Sequence, residues 1–222
     1  MFMQQLKMQT AHLHADLPQK IPLLQQLEQP TLTSYTNILC AYWGYYLPIE
    51  QRLDRALAKY PALAGLDLAA RHKTNLIERD LAFLGMDAMQ MQRLPICHDL
   101  PTITTIGHAL GVLYVLEGAT LGSQLIARGI EKALGLNEHA GCAFFNSYGR
   151  EVGPMWKRFS TFVNQFSEQA DVEEAAVQAA TTTFQSFEAW LQHAPSQTPL
   201  VAITISLPTT GSPRYAERSS LG

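Results

Sequence analysis

The sequence predicts an all-α protein built as a single domain. Apolar residues recur at helical spacing along nearly the whole chain. Strand-type alternation is almost absent until residues 200–208. Composition agrees: of 222 residues, 47% are hydrophobic and only 16% charged, which suits one sizeable packed core and argues against disorder.

Helices are expected at residues 2–17, 19–28, 31–59, 66–84, 101–134, 146–168 and 171–192. Pro18, Pro22 and Pro30 punctuate the early segments, because proline forfeits a helical hydrogen bond and crowds the preceding turn. "KYPALAGLD" separates the third helix from the fourth. "LPICHDLP" precedes the fifth, with Pro101 suited to a first turn. "LGLNEHAG" follows the fifth, and "GREVGP" interrupts the sixth. "LVAITISLP" reads as a short strand, and the polar run after it as a tail. The domain is expected over residues 1–195, with a flexible C-terminal tail over 196–222.

A net charge of −3 and the lack of a basic run give no reason to expect nucleic acid as a partner. The N-terminal "MQQLKMQTAHLHADL" is polar-periodic and unlike a leader. No apolar run of the ~18 residues that span a membrane is expected. Cys40, Cys97 and Cys142 are odd in number and widely spaced, unlike a disulfide framework or a zinc site. A reduced, cytoplasmic protein is the expectation. Cys97 and His98 read as an ordinary loop, and "YWGYY" at 42–46 as core packing. "ERD" at 78–80 hints at a carboxylate metal site, but ferritin-like sites need Glu-x-x-His pairs. Here the residue three after Glu28 is Thr31 and after Glu50 is Leu53.

The fifth helix poses a question. Gly107, Gly111, Gly118, Gly122 and Gly129 fall within about 60° of one another at 100° per residue, and Tyr114 and Leu125 share that face. Each interior glycine costs about 1 kcal/mol relative to alanine. Close approach of something to bare backbone must offset this. It is either another helix or a flat ligand.

In the first helix, Leu6, Thr10, Leu13 and Leu17 form the inward stripe. His14 lies at its edge and His12 on the opposite side, so His14 is the better candidate to face a ligand. Lys7 sits two turns before His14 on nearly the same meridian, about 10 Å away. A neutral imidazole is the group an iron porphyrin takes as axial ligand, and a lysine along the same edge suits a propionate.

"LKMQTAHLHADL" and "LYVLEGATLGSQL" together carry a resemblance. The sequence resembles the heme oxygenase family, in particular the bacterial branch found with bacteriophytochromes. Leu6, Thr10 and His14 occupy the places of its L-(x)3-T-(x)3-H proximal helix, and Gly118, Gly122 and Gln124 match its distal helix. "YWGYYLPIEQRL", "RHKTNLIERDLAFLG" and "YGREVGPMWKRF" add weaker support, and the resemblance covers roughly residues 5–190. It implies a multi-helical bundle with heme sandwiched between a proximal and a kinked distal helix. His14 is then the iron ligand. Gly118 and Gly122 form the catalytic distal face. Lys7, Thr10, Tyr114 and one of Lys157 or Arg158 contact heme or its propionates. Ala119 stands where the mammalian type has an aspartate, and Ser123 replaces the second glycine of the usual pair.

The implied activity is oxidative cleavage of heme, both substrate and cofactor, to biliverdin, carbon monoxide and ferrous iron with O2. Nothing in the sequence resembles a flavin or nicotinamide site, so electrons would come from a ferredoxin or reductase. A bacteriophytochrome is a candidate biliverdin acceptor. Two alternatives come from other classes. One is a heme-binding or heme-transfer protein without turnover, kept in view by Ala119. The other is a thiaminase-like enzyme on a related fold, which would need a catalytic cysteine.

Overall fold

The structure is a computed structural model and describes residues 1–193. Eight α-helices follow one another: α1 (Phe2–Lys20), α2 (Pro22–Gln25), α3 (Leu32–Lys59), α4 (Thr74–Phe83), α5 (Ala88–Gln92), α6 (Ile106–Leu134), α7 (Val152–Asn164) and α8 (Ala170–His193). Short 3-10 turns at Pro61–Leu66, Ala69–Arg71 and Gly149–Glu151 join some of them. The described residues contain no strand, so the all-α expectation is met. The strand expected at 200–208 lies outside the described residues, as does the tail.

Several boundaries differ from expectation: the helix expected at 66–84 is confined to α4 (Thr74–Phe83), behind the 3-10 turn at Ala69–Arg71, and that expected at 146–168 is confined to α7 (Val152–Asn164). α1 runs through Pro18 to Lys20, continuing there with one backbone hydrogen bond fewer because Pro18 has no N–H; Ile21 then turns extended and Pro22 opens α2. α2 spans Pro22–Gln25 rather than 19–28. α6 begins at Ile106, not 101. Thr105 is its N-cap and accepts from the His108 amide at 3.1 Å, while the carbonyls of Leu100 and Pro101 are taken by Arg52 at 2.9 and 3.2 Å. α5 was unforeseen. Its signal was legible as "DAMQ": Asp87 accepts from the Gln90 amide, and the Gln90 side chain accepts from the Asp87 amide.

α6 is the packed centre of the bundle. Ala109, Leu110, Val112 and Ile130 are fully buried, and its longest interface is with α8. By length and composition α6 is apolar enough to cross a bilayer, which corrects the expectation that no such run exists. Here it is a core helix flanked by protein. The expected aromatic core is present: Tyr42, Trp43, Tyr45 and Tyr46 of α3 are all buried. Gly44 lies among them, with the Pro95 carbonyl where a side chain would go, and its own carbonyl accepts from the Cys97 amide at 2.8 Å. The 95–97 loop therefore rests on α3. All three cysteines are buried free thiols, and burial pushes Cys40 up to about 12 and Cys142 up to about 11. Such thiols make poor nucleophiles at neutral pH.

Candidate functional site

The glycine face of α6 divides into two parts with different neighbours. A methyl group at Gly107 would lie 2.5 Å from the Val172 carbonyl oxygen, and one at Gly111 would run into the Ala176 carbonyl. These two glycines let α8 approach, and α8 meets them with the buried Ala176, Ala179 and Ala180. The alternatives left open by the sequence are thus divided along the helix: the N-terminal part of the glycine stripe packs protein. At Gly118 the nearest atoms are ring carbons of Trp156 at 3.8 Å, and at Gly122 and Gly129 nothing lies within 4 Å. Beside them Leu121 and Leu125 are 46% and 71% exposed. A helix that is otherwise the core of the molecule thus leaves one apolar, backbone-rich face uncovered. Exposed leucines around bare glycine backbone suit a flat apolar ligand.

α1 reaches this region because α1 and α6 both pack on α8. The two helices meet at Thr10 and Tyr114. Thr10 is buried, its hydroxyl donates to the Leu6 carbonyl at 2.8 Å, and it lies 3.4 Å from the Tyr114 hydroxyl. One turn further along each helix come His14 on α1 and Gly118 on α6. The His14 imidazole is exposed, with one ring neighbour, Phe184, in an edge contact at 6.3 Å. His12 is also exposed. An exposed imidazole at a helix edge is free to take an axial position on a metal.

The basic residues are spread out. Lys7 is exposed on α1. Lys157 and Arg158 line an open groove of about 440 Å³ with Gly65, Thr161 and Phe162, and Arg158 pairs with Glu151 at 3.9 Å. The residue of α7 that turns toward α6 is their neighbour Trp156, whose ring stands 6.0 Å from that of Tyr114. Sequence reasoning passed over Trp156; its place beside Lys157 in "MWKRF" was the available signal.

A buried polar cluster behind α6 was also missed. Glu117 is 2% exposed and forms an ion pair with Arg71, itself buried. Tyr148 donates to Glu117 at 2.9 Å, and Lys73 donates to Tyr148 at 2.8 Å and stands 3.5 Å from Glu117. Glu50 accepts from the Lys73 and Thr74 amides at 2.6 and 3.2 Å and from the Thr74 hydroxyl at 2.6 Å. Burial lowers the Lys73 pKa, opposed by the carboxylates of Glu117 and Glu50. As the helical geometry implied, Glu117 points away from the Gly118 face. Further along α6, the Gln124 side-chain nitrogen is buried with no hydrogen-bond partner among the described residues. It offers a donor to water or a ligand.

The sequence model of the heme oxygenase family, described as "Heme oxygenase", matches residues 1–193. The chain belongs to the heme oxygenase family. It is 26% identical over 210 residues to a protein named heme oxygenase from Takifugu rubripes, covering 88% of this chain and 73% of that protein. In fold it is similar to heme oxygenase from Neisseria meningitidis, solved with NO and CO bound, with a TM-score of 0.69 at 20% identity over 88% of this chain and 92% of that one. It is similar also to heme oxygenase from Leptospira interrogans (TM-score 0.68, 12% identity, 86% and 98% covered). A third similar structure is heme oxygenase-1 of the cyanobacterium Synechocystis in complex with heme (TM-score 0.65, 15% identity, 86% and 90% covered). This heme oxygenase therefore shares the helical architecture of the family.

Proposed function

We propose that this heme oxygenase binds heme between α1 and α6 and degrades it to biliverdin, carbon monoxide and ferrous iron. One observation carries the placement: the Thr10–Tyr114 contact brings His14 and the open Gly118 and Gly122 to neighbouring turns of two helices. His14 holds the iron through its imidazole. Thr10 and Tyr114 fix the separation of the two helices. Leu121 and Leu125 cover porphyrin, and Gly118 and Gly122 leave room for O2 against the backbone. Bound heme supplies the iron that activates O2. Lys7, with Lys157 or Arg158, orients the propionates. Exposed charge pairs contribute only about 0–1 kcal/mol, so these residues act on heme rotation more than on affinity.

Electrons come from a separate ferredoxin or reductase. We assign the chain to the bacteriophytochrome-associated branch, with a bacteriophytochrome as biliverdin acceptor, on the strength of "LYVLEGATLGSQL". Three buried free thiols support a reducing compartment, the cytoplasm.

Ala119, which carries no acid, favours a second reading as a heme carrier without turnover. Adding hemin to the purified protein, then reductant, separates the two. A Soret band that decays as a biliverdin band grows supports the enzyme. A Soret band stable under reductant and O2 supports the carrier, and no Soret band removes both.

A further inference from the structure

The buried cluster behind α6 lies along three neighbouring spaces that share lining residues. A surface cleft of about 350 Å³ opens between α3 and α4 and is lined by Glu50, Asp54, His72 and Thr74. Glu50 and His72 also line an interior cavity of about 10 Å³, shared with Tyr46, Arg71, Lys73 and Glu117. Tyr46 and Lys73 in turn line a second cavity of about 20 Å³, which reaches Ala119 and Ser123. Each interior cavity is on the scale of a single water, with a mostly apolar lining into which a few polar groups project, Lys73 in both. Ala119 is exposed beside Gly118, so the second cavity reaches the edge of the candidate heme site.

Lys73 stands between the two cavities. Its ammonium has three protons: one goes to the Arg71 carbonyl at 2.5 Å and one to the Tyr148 hydroxyl. The third faces the Glu117 carboxylate at 3.5 Å, the longest of the three contacts. The groups facing Lys73 are Tyr42, Tyr46 and Glu50 from α3, Arg71 and His72 before α4, Glu117 from α6, and Tyr148 before α7. Burial raises Tyr46 and Tyr148 well above the usual phenol range, so neither gives up a proton at neutral pH. Arg71 does not deprotonate. Burial lowers Lys73, opposed by Glu117 and Glu50, which makes it the more readily deprotonated of the two buried cations.

We propose that Lys73 is a positioning residue for proton supply to the face that carries Ala119, refilled from the α3–α4 surface past Glu50. This rests on the heme-degrading reading, in which reduction of O2 consumes protons. The step balances. An N–H bond of the Lys73 ammonium breaks, its proton passes to the water beneath Ala119, and the electron pair stays on nitrogen. The neutral amine then takes a proton from the water beside Glu50, which solvent in the cleft replaces. Lys73 so supplies the function that Ala119 cannot.

The test uses the full-length protein with hemin, ascorbate and O2, and the variants Lys73→Met, Lys73→Arg and Glu50→Gln. Three quantities are read: hemin affinity, the midpoint of the acid–alkaline spectral transition of the ferric complex, and the rate of Soret loss over about pH 6 to 9. Lys73→Met is expected to bind hemin within about twofold of wild type. Its spectral midpoint should rise by about one pH unit, because a nearby cation that favours hydroxide is gone. Its rate should fall about ten- to a hundredfold, with loss of the alkaline limb of the profile. Lys73→Arg should keep the midpoint and lose the alkaline limb, since a guanidinium does not deprotonate. Glu50→Gln should slow turnover without changing hemin affinity. A wild-type profile and midpoint in Lys73→Met, or a normal alkaline limb in folded Lys73→Arg, overturns the proposal. Failure of the wild type itself to degrade heme overturns the heme-degrading reading and this proposal with it. Failure confined to the variants' profiles overturns this proposal alone.

Discussion

Gly111 of α6 lies against the Ala176 carbonyl of α8 so closely that no side chain fits between them. About three turns along the same helix, Gly122 has no atom within 4 Å of where a side chain would start. One helix face therefore does two jobs, and the same substitution has opposite consequences along it. Gly111→Ala should destabilise the ligand-free protein by about 1–3 kcal/mol through overpacking. Gly122→Ala, at a glycine outside the positive-φ set, should stabilise it by up to about 1 kcal/mol. Heme turnover should fall steeply in Gly122→Ala. Thermal melts of both variants beside their Soret-loss rates check this. A lowered melting temperature with normal turnover in Gly122→Ala would count against the open face as the ligand site.

His14 and His12 are both exposed on α1, so exposure does not distinguish them; position does. His14 follows Thr10 by one turn and touches Phe184 of α8. His14→Ala should abolish the histidine–heme spectrum and turnover with no loss of helix content. His12→Ala should do neither. Equal spectral loss in the two variants would reverse the face assignment.

The Glu117–Arg71 pair is fully enclosed, so breaking it should be costly. Glu117→Ala leaves the guanidinium and the Lys73 ammonium buried with less counter-charge. A loss of about 3–5 kcal/mol is expected in urea unfolding. A loss under 1 kcal/mol would mean that water already screens the pair.

Asp80 gives a pH test. Its carboxylate accepts from the Ala143 and Phe144 amides at 2.7 and 2.8 Å. Burial nevertheless outweighs these bonds and lifts its pKa from 3.8 to about 6. The folded state thus holds the Asp80 proton more tightly than the unfolded chain. This group's contribution is full below the unfolded value and is lost as pH rises through the folded one. Asp80→Asn removes that titration. The stability difference, wild type minus variant, should fall between about pH 4 and 6 and be flat above. A difference that rises across that window would show the two amide bonds to dominate.

One of Lys157 or Arg158 is expected at a propionate, and both line a groove with Gly65 and Phe162, while Trp156 turns to Gly118. If either orients heme, its alanine variant should change the ratio of biliverdin isomers more than hemin affinity. The Lys7→Ala variant should do the same. Chromatography of the products checks this, and unchanged ratios in all three variants would remove these residues from the site.

The helical class and the burial of "YWGYY" are legible in the sequence alone. Those are properties of spacing along one element, where period and residue type suffice. The N-cap of α5 is legible there too, in the local signal "DAMQ". Only the tertiary structure decided which glycines of α6 serve packing and which stay open, because that depends on where α8 lies across them. The five glycines share a meridian, but α8 crosses it at Gly107 and Gly111 and leaves Gly118 and Gly122 clear. The Arg71, Lys73, Glu117 and Tyr148 cluster is of the same kind. Its members come from three separate stretches of chain, and their charges are tolerated in the interior only because folding brings them together and desolvates them as a set.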